Sequence, residues 1–494
     1  MGASTDRDHF EEEEFERFAD KLAQNLRALR AVLDRPGFGV GAGSLGAELE
    51  LNLVDGAGDA DPINRAVLAD TVDPRITLEV DRFNLEVNSL PVMLAGRPFS
   101  TLAAGLDDAL AQLRRVAAGH GAGVVTIGIL PTLTEADLTS AAMTEGKRYR
   151  ALSAGLHRLR QSAFPVHIEG RESLVTAFDD VTLEGANTSF QVHLRVDPAD
   201  FARSFNAAQL AIAPVLAIAG NSPLFLGRRL WDETRVALFR QSVDDRMSAE
   251  TDDWRPSRVS FGHGWCRQGA YEQLAESVAL HAPLLPVLTD EDPVAVAAAG
   301  GTPALRELRL HHGTTWHWTR AVYDDASGGH LRIELRALPA GPTTADMVAN
   351  AAFLVGLVCG LREQADDLVV GCTFGQARRN FYEAARFGPD AQLLWPDVAG
   401  GPVRPVPATE LCARLLPVAE AGLARQGVAS DEITRWLDIV AERAASGRTG
   451  ARWQTRLYDR LRERSTLPEA TRALLARYRP LSEQGTPVAR WELP

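Results

Sequence analysis

The sequence predicts an α+β protein in which one large body of strands and helices carries a helical C-terminal portion. Three observations lead to this fold class. Several segments alternate strictly between apolar and polar residues, as half-buried strands do. Longer segments with helical spacing separate these strands, and the chain looks mostly helical from Thr343 onward. We expect an N-terminal helical segment at residues 1–39, the α+β body at 40–365 and the helical portion at 366–494.

The individual elements follow from spacing and from helix-end signals. An amphipathic pattern predicts a helix over 11–34 that ends before Pro36, and strict alternation predicts a first strand over 45–55. Capping residues, and a proline in the first turn, indicate where the next helices begin. In chain order we then expect strands within 76–92, a helix capped by Ser100, a buried strand at 121–131, a helix at 147–163, a strand at 187–197, a helix from Pro198 to about Gly220, and strands at 305–324 and 330–341.

The composition is that of a globular protein without a basic surface. The chain has 494 residues, of which 45% are hydrophobic and 24% are charged, and this length allows a large core. The net charge of −13 argues against binding nucleic acid through a basic face. Because the net charge of a protein says little about any single site, a negatively charged protein can still bind an anionic ligand such as ATP.

The cysteines and the N-terminus favour the cytoplasm. The four cysteines form no CxxC pair and have no metal-like spacing with histidine; they are Cys266, Cys359, Cys372 and Cys412. The N-terminus is acidic and lacks the apolar core of a signal peptide. No uninterrupted apolar run reaches the roughly 18 residues of a membrane span. We therefore expect a reduced, cytoplasmic protein that does not enter a membrane.

Two motifs do not indicate the chemistry that their letters suggest. Residues 41–46 read GAGSLG, but a strand is predicted after them where a dinucleotide site needs a helix. His311, His312 and His317 resemble a metal site. On the predicted strand, however, His311 and His317 would lie about 20 Å apart and could not bind one ion. We expect these histidines to be surface residues or core residues with satisfied hydrogen bonds.

The polar faces of four predicted strands carry an unusual set of side chains. In the first strand, Leu49 and its apolar neighbours point one way, while Glu48 and Glu50 point the other. Two carboxylates on one face, roughly 7 Å apart, repel each other unless something positive lies nearby. The polar rows of the other three strands are Asn84, Glu86 and Asn88; Gln191, His193 and Arg195; and Arg332, Glu334 and Arg336.

Each of these faces, taken alone, is also what a solvated sheet face would look like. Four strands with carboxylates, an imidazole and arginines are less typical of a merely wet face. Carboxylate oxygens suit Mg²⁺ or Mn²⁺, which could in turn hold the phosphates of a nucleotide. The planar fork of Arg336 could contact a phosphoryl group or a substrate carboxylate.

At this point the sequence resembles a known family. The segments GAELELNLVD, LEVNS, NTSFQVHL, AGNSPLFLGRRLWDETR and LRIELRALPAGPT resemble the bacterial carboxylate–amine ligase family, the branch called glutamate–cysteine ligase family 2, within the glutamine synthetase and guanidino kinase superfamily. The resemblance spans roughly residues 40–365 and extends more loosely into the C-terminal portion. It implies a curved antiparallel sheet with the active site on its concave face and helices packed on the other face.

The resemblance also implies roles for individual residues. The metal ligands would be Glu48, Glu50, Glu86, His193 and Glu334, and Arg336 would act with Glu50 in catalysis. The implied cofactors are ATP and Mg²⁺ or Mn²⁺. The implied reaction joins a carboxylate, by analogy the γ-carboxyl of glutamate, to an amine, by analogy cysteine, through an acyl phosphate. The segment LEVNS departs from the forms typical of established glutamate–cysteine ligases.

Three further residues are candidates for nucleotide or substrate binding, each with a structural alternative. Asn221 follows a helix end and could instead cap and turn it. Arg235 could face a pocket or pair with Asp232 or Glu233 on its own helix. Arg320 could reach a phosphate or form a surface ion pair.

Two other classes of function stay open on the sequence. A guanidino kinase would use a similar fold, although the active-site cysteine motif of that class is not visible. A non-catalytic nucleotide-binding protein could retain the sheet, but the full set of charged residues argues against it. We expect small-molecule partners only, without nucleic acid or membrane, and a homo-oligomer is compatible with the sequence.

Overall fold

An antiparallel sheet of eight strands forms the centre of the fold. The computed structural model describes residues 7, 9–246, 255–397 and 400–493. The strands are β1 (Ser44–Val54), β2 (Ile76–Leu78), β3 (Asn84–Asn88), β4 (Val92–Met93), β5 (Gly123–Val125), β6 (Phe164–Glu169), β7 (Ser173–Phe178), β8 (Phe190–Val196), β9 (Leu224–Phe225), β10 (Arg228–Arg229), β11 (Val259–Ser260), β12 (Trp316–His317), β13 (Thr319–Asp324), β14 (His330–Leu335), β15 (Gln392–Pro396) and β16 (Val403–Pro407).

The strand order in the central sheet is β13-β14-β8-β1-β3-β2, and β4 and β5 also pair with β1. The remaining strands form the two-stranded pairs β6–β7, β9–β10, β11–β12 and β15–β16. The helices are α1 (Glu12–Leu33), α2 (Asn64–Ala69), α3 (Pro98–Gly119), α4 (Lys147–Arg160), α5 (Thr182–Gly185), α6 (Phe201–Ala219), α7 (Thr234–Ser242), α8 (Ala270–Leu280), α9 (Pro293–Ala298), α10 (Arg306–His312), α11 (Thr344–Leu361), α12 (Ala365–Gly371), α13 (Phe374–Phe387), α14 (Ala408–Arg425), α15 (Ser430–Ser446), α16 (Gly450–Arg462) and α17 (Leu467–Gln484).

The apolar face of the sheet is buried under helices. Leu49, Leu51 and Leu53 of β1 have no solvent exposure and belong to the main hydrophobic core. Helices α3, α6 and α11 contact β1, β13 and β8, respectively. Burial of one face fixes the strand register, because a slip by one residue would turn the apolar row to the opposite face. The predicted α+β class is confirmed, with an antiparallel sheet and a helical C-terminal region.

Two predicted elements are wrong in detail. The predicted strand at 305–324 begins as helix α10 and becomes extended only at β12 and β13. Leu308, His311 and His312 are buried on this helix at a spacing of three and four residues, and counting the histidines as polar hid that pattern. The helix α3 begins at Pro98, so Ser100 does not cap it. The Oγ atom of Ser100 donates instead to Glu432, at 2.6 Å.

The three predicted segment boundaries remain predictions. Parts of the segments lie outside the described residues, namely 1–6 and 8 at the N-terminus, 247–254 in the predicted α+β body, and 398–399 and 494 in the C-terminal portion. The C-terminal portion contains the hairpin β15–β16 as well as helices. Its helices α14 and α15 pack on α11, α6 and α3, so their core is continuous with that of the sheet.

Two helical stretches are long and apolar enough to cross a membrane. They are Pro198–Ala219 and Thr344–Gly371, with a mean hydropathy of 1.3 and 1.7, respectively. In each stretch, 89% of the apolar window is buried inside the structure, which is also typical of core helices. The sequence-based expectation that the protein does not enter a membrane stays a prediction.

Helices α11 and α14 pack at backbone contact through glycines. A Cβ atom added at Gly422 would lie 2.1 Å from the carbonyl oxygen of Gly356 and 2.6 Å from the backbone nitrogen of Gly360. Neither backbone atom can retract as a flexible side chain could. The close approach of the two helices therefore depends on a missing side chain at this position.

We expect Gly422→Ala to lower the stability by about 1–3 kcal/mol or more, because the added methyl group must push the two helices apart. Gly375→Ala is the matched control, since a Cβ at this exposed position of α13 meets no atom within 4 Å. The control should raise stability by about 0.5–1 kcal/mol through its helix propensity. Thermal and urea unfolding followed by circular dichroism measures both. Equal midpoints for the two variants would contradict the proposed packing.

Candidate active site

The polar face of the sheet brings together residues from β1, β8 and β14. In the register of β8 and β14, Glu334 lies directly opposite His193. The Nε2 atom of His193 lies 3.1 Å from Oε1 of Glu48 and 3.7 Å from Oε1 of Glu334. One ligand atom from each of these three residues lies within 4.8 Å of the other two. The structure thus assembles three of the predicted metal ligands from segments far apart in the sequence.

Two arginines hold the carboxylate of Glu334. Arg320, directly opposite on β13, donates from Nη2 to Oε1 at 3.0 Å and from Nε to Oε2 at 2.5 Å. Arg336 donates from Nη1 to Oε1 of Glu334 at 3.1 Å. Burial acts to raise the pKa of Glu334, but the charges of both arginines hold that pKa below its ordinary value. Arg320 therefore forms an ion pair, as one of its predicted alternatives stated, although the pair is largely buried rather than on the surface.

Glu48 also stays ionised. Burial acts to raise its pKa, whereas the charge and hydrogen bond of His193 lower the pKa to about 2. The Nδ1 atom of His193 is buried and has no hydrogen-bond partner among the described residues. The Glu48–His193–Glu334 cluster thus offers two ionised carboxylates and one imidazole on the same face.

A second acidic group lies on the neighbouring strand pair. Glu50 faces Glu86 directly in the register of β1 and β3. Burial, followed by the charge of Glu86, raises the pKa of Glu50 to about 7. Burial and the charges of Glu48 and Glu79 raise the pKa of Glu86 well above its ordinary value. These carboxyl groups hold protons near neutral pH because too little positive charge offsets their burial.

Fixed hydrogen bonds orient Glu50 and connect the two acidic groups. Its Oε2 accepts from the backbone N–H of Ser189 at 2.7 Å, and its Oε1 accepts from Nε2 of Gln191 at 3.0 Å. Oε1 of Gln191 in turn accepts a hydrogen bond from Nη1 of Arg336. Gln191 therefore links Glu50 to the arginine that also binds Glu334.

The sequence reasoning did not include three residues of this face among its candidates. Gln191 was placed on the polar face but given no role, although it precedes His193 by two residues and so shares its strand face. Glu79 continues the polar row of β2 beside Glu86, and burial raises its pKa to about 7. Glu184 lies on the short helix α5, where no periodic pattern indicates it, and burial raises its pKa to about 8.

The remaining predicted binding residues take part in internal contacts. Arg235 is buried, donates to Oε1 of Glu233 at 2.9 Å, and also reaches the carbonyl oxygen of Ala337. This arrangement matches the ion-pair alternative, and its charge also acts to lower the pKa of Glu50. Nucleotide or substrate contact by Arg235 stays a prediction.

Asn221 is fully buried at the junction between the central sheet and the C-terminal helices. Its Nδ2 donates to the carbonyl oxygen of Ala340 at 2.7 Å and to the hydroxyl of Tyr478 at 2.9 Å. Its Oδ1 accepts from Nε2 of Gln454 at 2.8 Å. These contacts support a structural role for Asn221 and leave its predicted contact with a nucleotide or substrate as a prediction.

The donor chemistry of the polar face fits divalent cations that prefer oxygen. The ionised carboxylates of Glu48 and Glu334 and the Nε2 atom of His193, which lies beside both of them, form one donor set. Glu50 and Glu86 form a second set, whose protons a cation would displace. A face with this charge can hold cations together with phosphate groups, and the arginines at its edge can contact a further anion.

Comparison with known proteins identifies the family and the fold. The family model described as glutamate-cysteine ligase family 2 matches residues 44–474. No curated protein matches the chain. The crystal structure of glutamate–cysteine ligase from Francisella tularensis in complex with AMP is 13% identical, with a TM-score of 0.55, and the match covers 92% of this chain and 91% of that one.

A bifunctional glutathione synthetase from Pasteurella multocida is 11% identical, with a TM-score of 0.49, and the match covers 95% of this chain and 55% of that one. At these identities the first of the two structures shows a shared fold, and the family match, which spans most of the chain, shows descent. The chain therefore belongs to glutamate–cysteine ligase family 2, a family of ATP-dependent carboxylate–amine ligases.

Proposed function

We propose that this protein uses ATP to join the γ-carboxyl group of glutamate to an amine, with cysteine as the default amine. The observation that carries the proposal is the Glu48–His193–Glu334 cluster, with Arg320 and Arg336 bound to its edge. Family membership supports the reaction class. The AMP in the Francisella tularensis relative supports an adenine nucleotide as substrate.

The proposed chemistry needs no protein nucleophile. A carboxylate oxygen of glutamate attacks the γ-phosphorus of ATP, which releases ADP and forms an acyl phosphate. The amine then attacks the acyl carbon, loses a proton, and expels inorganic phosphate to leave an amide. The cysteines fit this scheme as bystanders, because burial raises the pKa of Cys266 and Cys412 to about 12.

The polar face would hold Mg²⁺ through Glu48, His193 and Glu334, with Glu50 and Glu86 as the second donor set. When bound, Mg²⁺ supplies positive charge that offsets the charge of the phosphates. Arg320 commits its fork to Glu334 and thereby keeps that carboxylate ionised and oriented. Gln191 and Ser189 orient Glu50 in the same way.

Arg336 is the better placed of the two arginines to contact a substrate. Its hydrogen bonds to the described residues both come from Nη1, which donates to Glu334 and Gln191. The N–H groups on Nε and Nη2 therefore stay available for a phosphoryl group in transfer or for the carboxylate of the acceptor. We assign Arg336 to stabilising the charge that develops on the transferred phosphoryl group.

A cytoplasmic location fits the same proposal. The four cysteines are free and buried, as expected of a protein that meets a reducing environment. Fractionation of the source cells with an antibody against the chain tests this location.

The direct test of the function is a pairwise screen of amino acids and amines for release of phosphate from ATP. With the active pair, glutamate labelled with ¹⁸O in its γ-carboxylate should transfer one label into inorganic phosphate for each amide formed. Mass spectrometry of the phosphate measures the transfer. Unlabelled phosphate formed in step with the amide would contradict the acyl-phosphate route, and a stable phosphorylated product would indicate a kinase instead.

Arg336→Lys keeps the charge but loses the planar fork, so we expect turnover to fall by roughly 2–4 kcal/mol of transition-state stabilisation while ATP affinity changes little. Steady-state kinetics and calorimetry measure the two quantities. Arg332→Lys is the matched control on the same strand face, because Arg332 pairs with Asp324 and not with Glu334. An equal loss of turnover in both variants would assign the effect to the strand rather than to Arg336.

A further inference from the structure

Three histidines from separate segments meet beside β13, outside the carboxylate face. His317 lies in β12, His263 follows β11, and His281 directly follows the last residue of α8. One ring nitrogen from each lies within 4.8 Å of the other two. The ring centroids of His263 and His281 lie 5.2 Å and 6.3 Å from that of His317.

The sequence-based expectation for His317 is therefore wrong. It assumed a continuous strand from His311 to His317, whereas α10 ends at His312 and directs the chain elsewhere. His312 does have satisfied hydrogen bonds, because its ring nitrogens lie 3.0 Å from Oγ of Ser277 and 2.9 Å from the carbonyl oxygen of Ala321. His317 is neither a surface residue nor satisfied in this way.

Two of the three histidines have buried nitrogens without partners. His281 and His317 are 5% and 3% exposed. The Nε2 atom of each is buried and has no hydrogen-bond partner within the part of the chain that the structure describes. A buried polar atom without a partner is costly, and most buried ring nitrogens in proteins are satisfied. Two such atoms in one cluster of imidazoles indicate a missing ligand.

We propose that His263, His281 and His317 bind a divalent transition-metal ion of the Zn²⁺ class. Imidazole nitrogens are typical ligands of Zn²⁺ and its neighbours, whereas Mg²⁺ prefers oxygen. Tetrahedral zinc, at about 2.0–2.1 Å from each nitrogen, places its ligand nitrogens roughly 3.3 Å apart. Small rotations of side chains that already lie within 4.8 Å of one another satisfy that geometry.

The surroundings also suit a cation. Burial lowers the pKa of His281 to about 2 and that of His317 to about 3, so both rings are neutral at physiological pH, as metal binding requires. The charge of Arg378, an exposed residue, acts on His263 from the solvent side. The other two nearby arginines are offset, because Arg258 pairs with Asp245 at 2.6 Å and Arg320 pairs with Glu334. The positive charges of Arg258 and Arg320 are therefore compensated and do not oppose the binding of a cation.

His263, the third proposed ligand, connects the site to solvent. The side chain of His263 is 23% exposed, and its Nε2 lies 3.9 Å from Oε1 of Glu276. The fourth coordination position can therefore be filled by water or by Glu276. An ion here would tie the loop after β11 and the end of α8 to β12, which leads directly into Arg320 of β13. The ion would stabilise this corner of the sheet without entering the carboxylate face.

Metal-stripped full-length protein in excess Mg²⁺ is titrated with Co²⁺ as the probe. We expect one equivalent to bind with strong visible absorption, as is typical of four-coordinate Co²⁺, and to raise the thermal midpoint. His263→Ala should weaken binding by more than the roughly 10–100-fold that loss of a ligand's hydrogen-bond partner costs. This variant changes a partly exposed side chain, so it should fold even if replacement of His281 or His317 prevents folding.

Two control variants separate this site from other possibilities. His167→Ala removes an exposed histidine of β6 and should leave Co²⁺ binding unchanged. Glu48→Gln alters the carboxylate cluster and should also leave the spectrum unchanged. The proposal is overturned if wild-type protein shows no visible band, if His263→Ala binds Co²⁺ as tightly as wild type, or if Glu48→Gln abolishes the band.

Discussion

The fold must accommodate several carboxylates on one face of the central sheet. Glu48, Glu50, Glu86 and Glu334 lie on β1, β3 and β14 of one sheet, and apolar residues cover the opposite face of the sheet. Buried like charges repel and lose hydration, so the fold must either neutralise them or leave them protonated. The structure does both, in different parts of the same face.

The division between the two acidic groups follows from where the cations lie. Arg320, Arg336 and His193 surround Glu334 and Glu48, which therefore stay ionised. Glu50 and Glu86 face each other with less compensation, and their pKa values are raised. One side of the face is thus organised before any ligand arrives, whereas the other gains most from added positive charge. In the proposed reaction, cations that bind the phosphates would supply this positive charge.

Strict alternation in the sequence was enough to predict the central strands and the polar face. It identified Glu48, Glu50, His193 and Glu334, because a strand whose residues alternate with a period of two has one apolar face to bury and one polar face that carries these side chains. It could not identify Glu184, which reaches the site from a short helix with no repeating pattern. It also misjudged 305–324, where buried histidines took the positions that apolar residues usually hold.

Local sequence patterns could not predict contacts between residues that are far apart in the chain. His263, His281 and His317 meet because a helix end, a loop and a strand pack together. The spacing of these histidines along the chain does not indicate that contact. The same holds for Asn221, whose partners Ala340, Tyr478 and Gln454 come from three later segments. Sequence reasoning could state the alternatives for Asn221, but only the packing shows how its hydrogen bonds are used.

We propose that cations on the carboxylate face allow this protein to bind ATP. Calorimetric titration of the protein with ATP, in Mg²⁺ and in excess chelator, tests it most directly, with Glu420→Gln as an exposed control for Glu48→Gln. Chelation should abolish binding, because the carboxylates repel the phosphates, and Glu48→Gln should weaken binding in Mg²⁺ while Glu420→Gln should not. Equal ATP affinity with Mg²⁺ and with chelator would contradict it.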